Sequence, residues 1–202
     1  MVTPDISLSL KRIFMKQNLK YFLTSFILMF CIASFGQRII KPTKGYTTQI
    51  GNIVSMLEDL KGRVTSNVSN LTIEETDFLL DENANRIGAI IYHLAATEKY
   101  YQVYTIENRN LNKAEREKWD VAQNLGYTAR NQLKNKPIDY YLDIWNEVRK
   151  ETLRLLKTKD DNWFLSKTHN NNMNNHWAWY HVMEHQANHM GQIKLIIKRS
   201  GK

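Results

Sequence analysis

Cysteine is almost missing from this 202-residue chain. Cys31 is the only one, and it falls in a segment that reads as removed on export. That excludes disulfides, a cysteine nucleophile and thiolate metal ligands from the rest of the chain. Phe30 stands where a lipoprotein signal needs a small residue, so lipid attachment at Cys31 is excluded as well. The sequence shows no alternating strand pattern, no glycine-rich phosphate loop, no internal repeat and no coiled-coil heptad. Basic residues outnumber acidic ones, 28 to 20, yet they are scattered and form no block that could track a phosphate backbone. Nucleic acid is therefore excluded as a partner, and the excess charge reads as solvated surface.

One apolar run stands out, residues 21–33, shorter than the roughly 20 residues of a comfortable membrane-spanning helix. Lys16 and Lys20 precede it, and Ser34-Phe35-Gly36-Gln37 follows, with small residues at the −3 and −1 positions. This is the layout of a bacterial-type secretory signal cut before Gln37. It predicts a leader over 1–36 and a mature domain over 37–202, exported to the periplasm with no stable membrane insertion after cleavage. An uncleaved anchor is the alternative. MKQNLK, starting at Met15, opens a signal peptide by itself, so the true start is expected at Met15. The leader carries a net +3, which leaves about +5 of the chain's +8 on the mature domain.

The mature part reads as all-α. Ile50, Ile53, Val54, Leu57 and Leu60 keep the three-and-four spacing of an apolar helix face and predict a helix over 46–64. Thr72 and Glu75 form a capping-box pattern for a short helical turn. A second long helix is expected over 85–106, with Ile87, Ile90, Ile91, Leu94, Ala95 and Tyr101 inward. A charged helical segment over 113–124 leads into a looser connection. A third core helix is expected from Pro137 to about residue 156, with Trp145, Val148, Thr152 and Leu155 among its inward positions. A loop over 160–175 follows, then the last helix. Four amphipathic helices joined by medium loops describe an up-down four-helix bundle, a fold that builds metal sites between facing helices.

Residues 176–192, HWAWYHVMEHQANHMGQ, hold four of the chain's six histidines. His181, His185 and His189 recur every fourth residue, so each step turns only about 40° around a helix axis and all three lie on one side. Val182, His185, His189, Ile193 and Ile196 share one otherwise apolar line, and buried imidazoles without partners are costly. A shared metal ion is one economical way to satisfy them. His93 sits among Ala89, Ala96 and Thr97, which leaves room for a ligand or for a ring that only fills space. Two zinc-peptidase patterns compete inside the last helix. Gln186 replaces the catalytic Glu of H-E-x-x-H, which excludes an ordinary zincin. His181-Val-Met-Glu184-His185 matches the inverted H-x-x-E-H pattern, in which Glu184 would activate water.

The segment NRIGAIIYHLAATE over 85–98, together with the aromatic run and H-x-x-x-H-x-x-x-H followed by Gly-Gln over 177–192, resembles the DinB-like superfamily (DinB/YfiT type). The resemblance covers nearly all of the mature chain in element order. It implies a four-helix bundle and a metal site with one histidine from the second helix and two from the last, here His93, His185 and His189. His181 would then be a pocket residue, a fourth ligand or a proton shuttle. Family members usually carry Arg after the last histidine, whereas this chain has Met190, which removes any anion contact that arginine would make. Such family sites are associated with low-molecular-weight-thiol transferases and isomerases.

Three imidazoles with an open position resemble a catalytic site and suit one divalent transition metal, zinc, nickel, iron or copper. The expectation is a metal-dependent hydrolase or transferase acting on a small molecule, with export adding weight to hydrolysis. The alternatives are a non-catalytic metal- or ligand-binding bundle and, behind it, the inverted-motif peptidase. His181, Glu98 and Glu184 are the candidate catalytic residues, although Glu98 reads more simply as an exposed charge. Trp177, Trp179 and Tyr180 read as core before substrate platform. His169 reads as exposed and His176 as unpartnered. A homodimer is compatible with the chain.

Overall fold

Ile50, Ile53, Val54, Leu57 and Leu60 form one buried stripe, extended by Val64 and Val68, along helix α1 (Thr48–Val68). The computed structural model describes residues 39–201. The leader expected over 1–36 and the start at Met15 lie outside the described residues. α1 runs past its expected end because Gly62 faces open space and costs only its propensity, about 1 kcal/mol. Its free N-terminal amides are capped from a distance: the Asp161 carboxylate accepts from Gln49 N–H at 3.1 Å and Ile50 N–H at 3.4 Å.

The Thr72/Glu75 capping box is formed and starts the single turn α2 (Ile73–Thr76). α3 (Ile87–Tyr101) continues as a π-helical turn, Gln102–Ile106. The Gln102 amide in that turn donates to Val148 O and Thr152 Oγ1, both at 2.8 Å. α4 (Lys113–Gln123) begins with a second capping box, Asn112/Glu115. The looser connection expected after Asn124 is instead helical, α5 (Gly126–Gln132). Its entry is made by Leu125 and Gly126 at φ 51° and 72°, with no side-chain cap, so the usual start signal is lacking. Asn85 Oδ1, which accepts from Gly126 N–H at 3.2 Å, holds the turn.

α6 (Ile138–Leu156) starts one residue later than expected, with Pro137 as its extended N-cap. Leu155, expected inward, is only half-buried, and Leu156 takes the core position. The loop expected over 160–175 contains α7 (Asp161–Leu165), started by Asp160 accepting from Trp163 N–H at 2.8 Å. The last helix, α8 (Asn175–Arg199), is capped by Asn174, which accepts from Trp177 N–H at 2.8 Å. The described residues are thus all-helical, with one isolated bridge pair, Lys167 and Asn174, and no strand. No helix among them is long and apolar enough to cross a membrane.

α3 packs against α4, α6 and α8, and α1 packs against α6 and α8. One apolar cluster gathers Trp119, Tyr141 and Trp145 around α3. A second gathers Trp179 and Phe164 around the first half of α1. Where α3 crosses α6, a Cβ on Gly88 would collide with the Tyr141 ring. Gly88→Ala is therefore expected to destabilise by about 1–3 kcal/mol through overpacking, read as a lower thermal midpoint. Tyr141→Leu should recover much of the loss in the double variant. A Gly88→Ala protein as stable as the parent would refute this crossing.

Candidate metal centre

Burial turns the regular spacing of α8 into a site. His185 and His189, one turn apart on α8, face His93 on α3. His185 Nε2 lies 3.0 Å from His93 Nε2 and 3.0 Å from His189 Nε2. These three are the histidine group whose ring nitrogens lie close enough together to hold a metal ion. Side-chain burial is deep, with His93 and His189 each 9% exposed.

The outer nitrogens are held differently. His93 Nδ1 lies 2.8 Å from the Ala122 carbonyl oxygen at the end of α4. His189 Nδ1 lies 2.9 Å from Gln192 Oε1. Both oxygens can only accept, so both Nδ1 atoms carry the proton and both Nε2 lone pairs point inward. Carbonyl or carboxamide partners of this kind are what orient imidazole ligands in metal sites. Buried His185 Nδ1 has no hydrogen-bond partner among the described residues. The donor set therefore fits a cation that prefers nitrogen, with two lone pairs pre-aimed and no carboxylate in the group.

Burial also keeps these rings neutral. Desolvation, with help from the neighbouring His189, pushes His93 down to about 4. Desolvation and the neighbouring histidines push His185 down to about 3. Desolvation likewise lowers His189, partly offset by its bond to Gln192. The unfolded chain takes up protons on these residues near pH 6.5, whereas the folded protein resists. Stability of the chelator-treated protein is thus complete above about pH 6.5 and is lost as pH falls towards 4, at about 1.4 kcal/mol per pH unit for each proton. Thermal midpoints at pH 7 and 5 should show this loss, and His93→Gln should flatten it. A parent midpoint constant across that range would contradict neutral burial.

His181 stands beside the cluster, its ring centroid 5.8 Å from that of His185. It lies flat on Trp177, with centroids 5.2 Å apart and planes at 8°, and meets the edge of Tyr101. Its Nδ1 is 3.3 Å from Glu184 Oε2, while Glu184 Oε1 accepts from Tyr180 OH at 3.1 Å. Glu184 is thus engaged with His181 and Tyr180. The structure groups His185 with His93 and His189, not with His181 as an inverted peptidase motif requires. Met190 packs partly buried against the apolar core.

Glu98 is not the exposed charge expected: its exposure is 0%. It accepts from Arg149 Nε at 2.7 Å, Thr152 Oγ1 at 2.6 Å, Trp145 Nε1 at 3.0 Å and Gln186 Nε2 at 3.2 Å. Burial alone would raise its pKa, but the Arg149 charge and these donors overcome burial and lower it. Arg149, 3% exposed, is a residue the sequence reading missed. It also donates to Leu57 O at 2.8 Å and Glu58 Oε1 at 2.9 Å. Gln186 therefore turns away from the histidines and ties α8 to this ion pair.

The other aromatic positions divide. Trp179 is fully buried, as expected, but Trp177 and Tyr180 are nearly half exposed. Trp177 borders a hollow of about 280 Å³ with Asn172, Met173 and Asn174. His169 is exposed but meets the edge of Tyr104. His176, expected to lack a partner, stacks on Phe164 at 4.5 Å.

A family model described as mycothiol-S-transferase matches residues 52–199. No match to a curated protein was found.

Proposed function

The chain belongs to the mycothiol-S-transferase family, a DinB/YfiT-like family, and from that membership we propose an exported, metal-dependent transferase acting on a small molecule. The observation that carries this reading is the convergence of three imidazole nitrogens, two with lone pairs fixed inward by Ala122 O and Gln192 Oε1. In this reading α1, α3, α6 and α8 are the four helices of an up-down bundle. One divalent transition metal, with zinc, nickel and iron as candidates, is held by Nε2 of His93, His185 and His189. Such an ion would supply Lewis acidity there, lowering the pKa of a thiol or water.

The chain's own residues then do the rest. His181, donating from Nδ1 to Glu184, keeps Nε2 free to hold a proton beside the cluster. Tyr101, its phenol pushed up to about 12 by burial and neighbouring tyrosines, stays protonated and closes that side. The exposed face of Trp177 and its hollow offer a platform for a remote part of the substrate. Family membership favours transfer to a low-molecular-weight thiol over hydrolysis. Export is proposed from the leader pattern, and with it a reaction outside the cytoplasm.

The test is thiol consumption by full-length protein loaded in turn with zinc, nickel or iron, across panels of low-molecular-weight thiols and electrophiles. Turnover is expected, and His93→Ala should lower it at least about a hundredfold through loss of several kcal/mol of charge stabilisation, with helicity kept. Stoichiometric metal with no thiol transfer on any panel would overturn the transferase. Ester or amide cleavage in its place would indicate a hydrolase.

A further inference from the structure

We infer that His185 is the exchangeable member of the histidine cluster: without metal it bridges the other two rings through Nε2–H, and on metal binding that proton relocates to Nδ1. The inference rests on the metal reading above and concerns how the site stays assembled before loading.

Hydrogen-bond chemistry assigns the protons. Ala122 O and Gln192 Oε1 cannot donate, so the His93 and His189 protons sit on Nδ1. A neutral imidazole carries one proton, which leaves both Nε2 atoms bare. His185 Nε2 lies 3.0 Å from each of them. Three bare lone pairs at that separation repel one another, so a proton or a cation must stand between them. His93 and His189 could supply that proton only by abandoning a carbonyl or carboxamide acceptor. His185 gives up nothing, because its Nδ1 has no hydrogen-bond partner among the described residues.

Metal binding reverses the requirement. A cation needs the His185 Nε2 lone pair, so the Nε2–H bond breaks and an Nδ1–H bond forms, with the proton passing through solvent. The net charge of the cluster does not change. Two ligands are thus pre-set in the metal-binding tautomer and one exchanges. His185 is also the ligand without an outer hydrogen bond, which the usual orienting partner of a metal-bound imidazole would supply.

Long-range proton–nitrogen NMR of the ¹⁵N-labelled full chain reads the tautomer of each ring directly, with His185→Gln identifying the His185 signals. In chelator-stripped protein, His93 and His189 should be protonated at Nδ1 and His185 at Nε2. One equivalent of zinc should move His185 to the Nδ1–H form and leave the other two tautomers unchanged. Gln192→Leu should shift part of the metal-free His189 population to Nε2–H. An unchanged His189 in that variant, or a His185 already protonated at Nδ1 before zinc, overturns the exchange alone. Rings that ignore zinc altogether overturn the metal reading, and the exchange with it.

Discussion

Arg149→Met is expected to destabilise the protein by about 3–5 kcal/mol, the usual cost of leaving a buried partner charge uncompensated. The charge left behind is Glu98, fully buried on α3, which receives two nitrogens of the guanidinium at 2.7 and 2.9 Å. Glu98→Leu should cost less, because Arg149, buried where α1, α3, α6 and α8 meet, keeps Glu58 Oε1 at 2.9 Å and Leu57 O at 2.8 Å as partners. The double replacement, Glu98→Leu with Arg149→Met, removes both charges at once and should lie within about 2 kcal/mol of the parent. The residual cost is that of orphaned polar groups such as Trp145 Nε1 and Gln186 Nε2, which donate to Glu98 in the parent. Urea unfolding of the four proteins closes the cycle. Additive losses would show that the pair is not coupled across the core, contrary to its geometry.

His185→Ala/His189→Ala is expected to take the protein from about one bound equivalent of zinc, nickel or iron to almost none, because two of three nitrogen donors vanish from one turn of α8. Elemental mass spectrometry of the purified parent and variant measures it. Fold should survive, since the removed rings line a cluster and bear no helix caps. A parent that stays empty after incubation with all three metals removes the proposed centre. The histidine row would then be a packing feature.

The two histidines of α8 were legible because a four-residue repeat has one geometric consequence on a helix. The long helices were legible for the same reason, through stripes such as Ile50–Val54–Leu57. What pairs across helices was less so. Arg149 lies four residues after Trp145 and three before Thr152, and Glu98 four after Leu94 and three before Tyr101. Both therefore occupy core lines of their own helices, and that placement was the available signal. A single charge there reads as exposed until its partner is seen. α5 and α7 escaped notice because each is too short to show an apolar period. α5 starts from left-handed Leu125 and Gly126 with no capping side chain. The π-helical turn after Tyr101 has no periodic signature and reads as ordinary helix.

Each of the two site helices is gripped on two sides. α3 offers His93 to the cluster and, five residues on and about 140° around the axis, Glu98 to the ion pair. α8 offers His185 to one and Gln186, about 100° away, to the other. One residue inserted or deleted between 93 and 98 would swing one group about 100° out of alignment while the other stayed fixed. Changes of chain length are thus barred from these stretches. A chimera that exchanges α8 must import Gln186 with the histidines, because the helix is indexed by both.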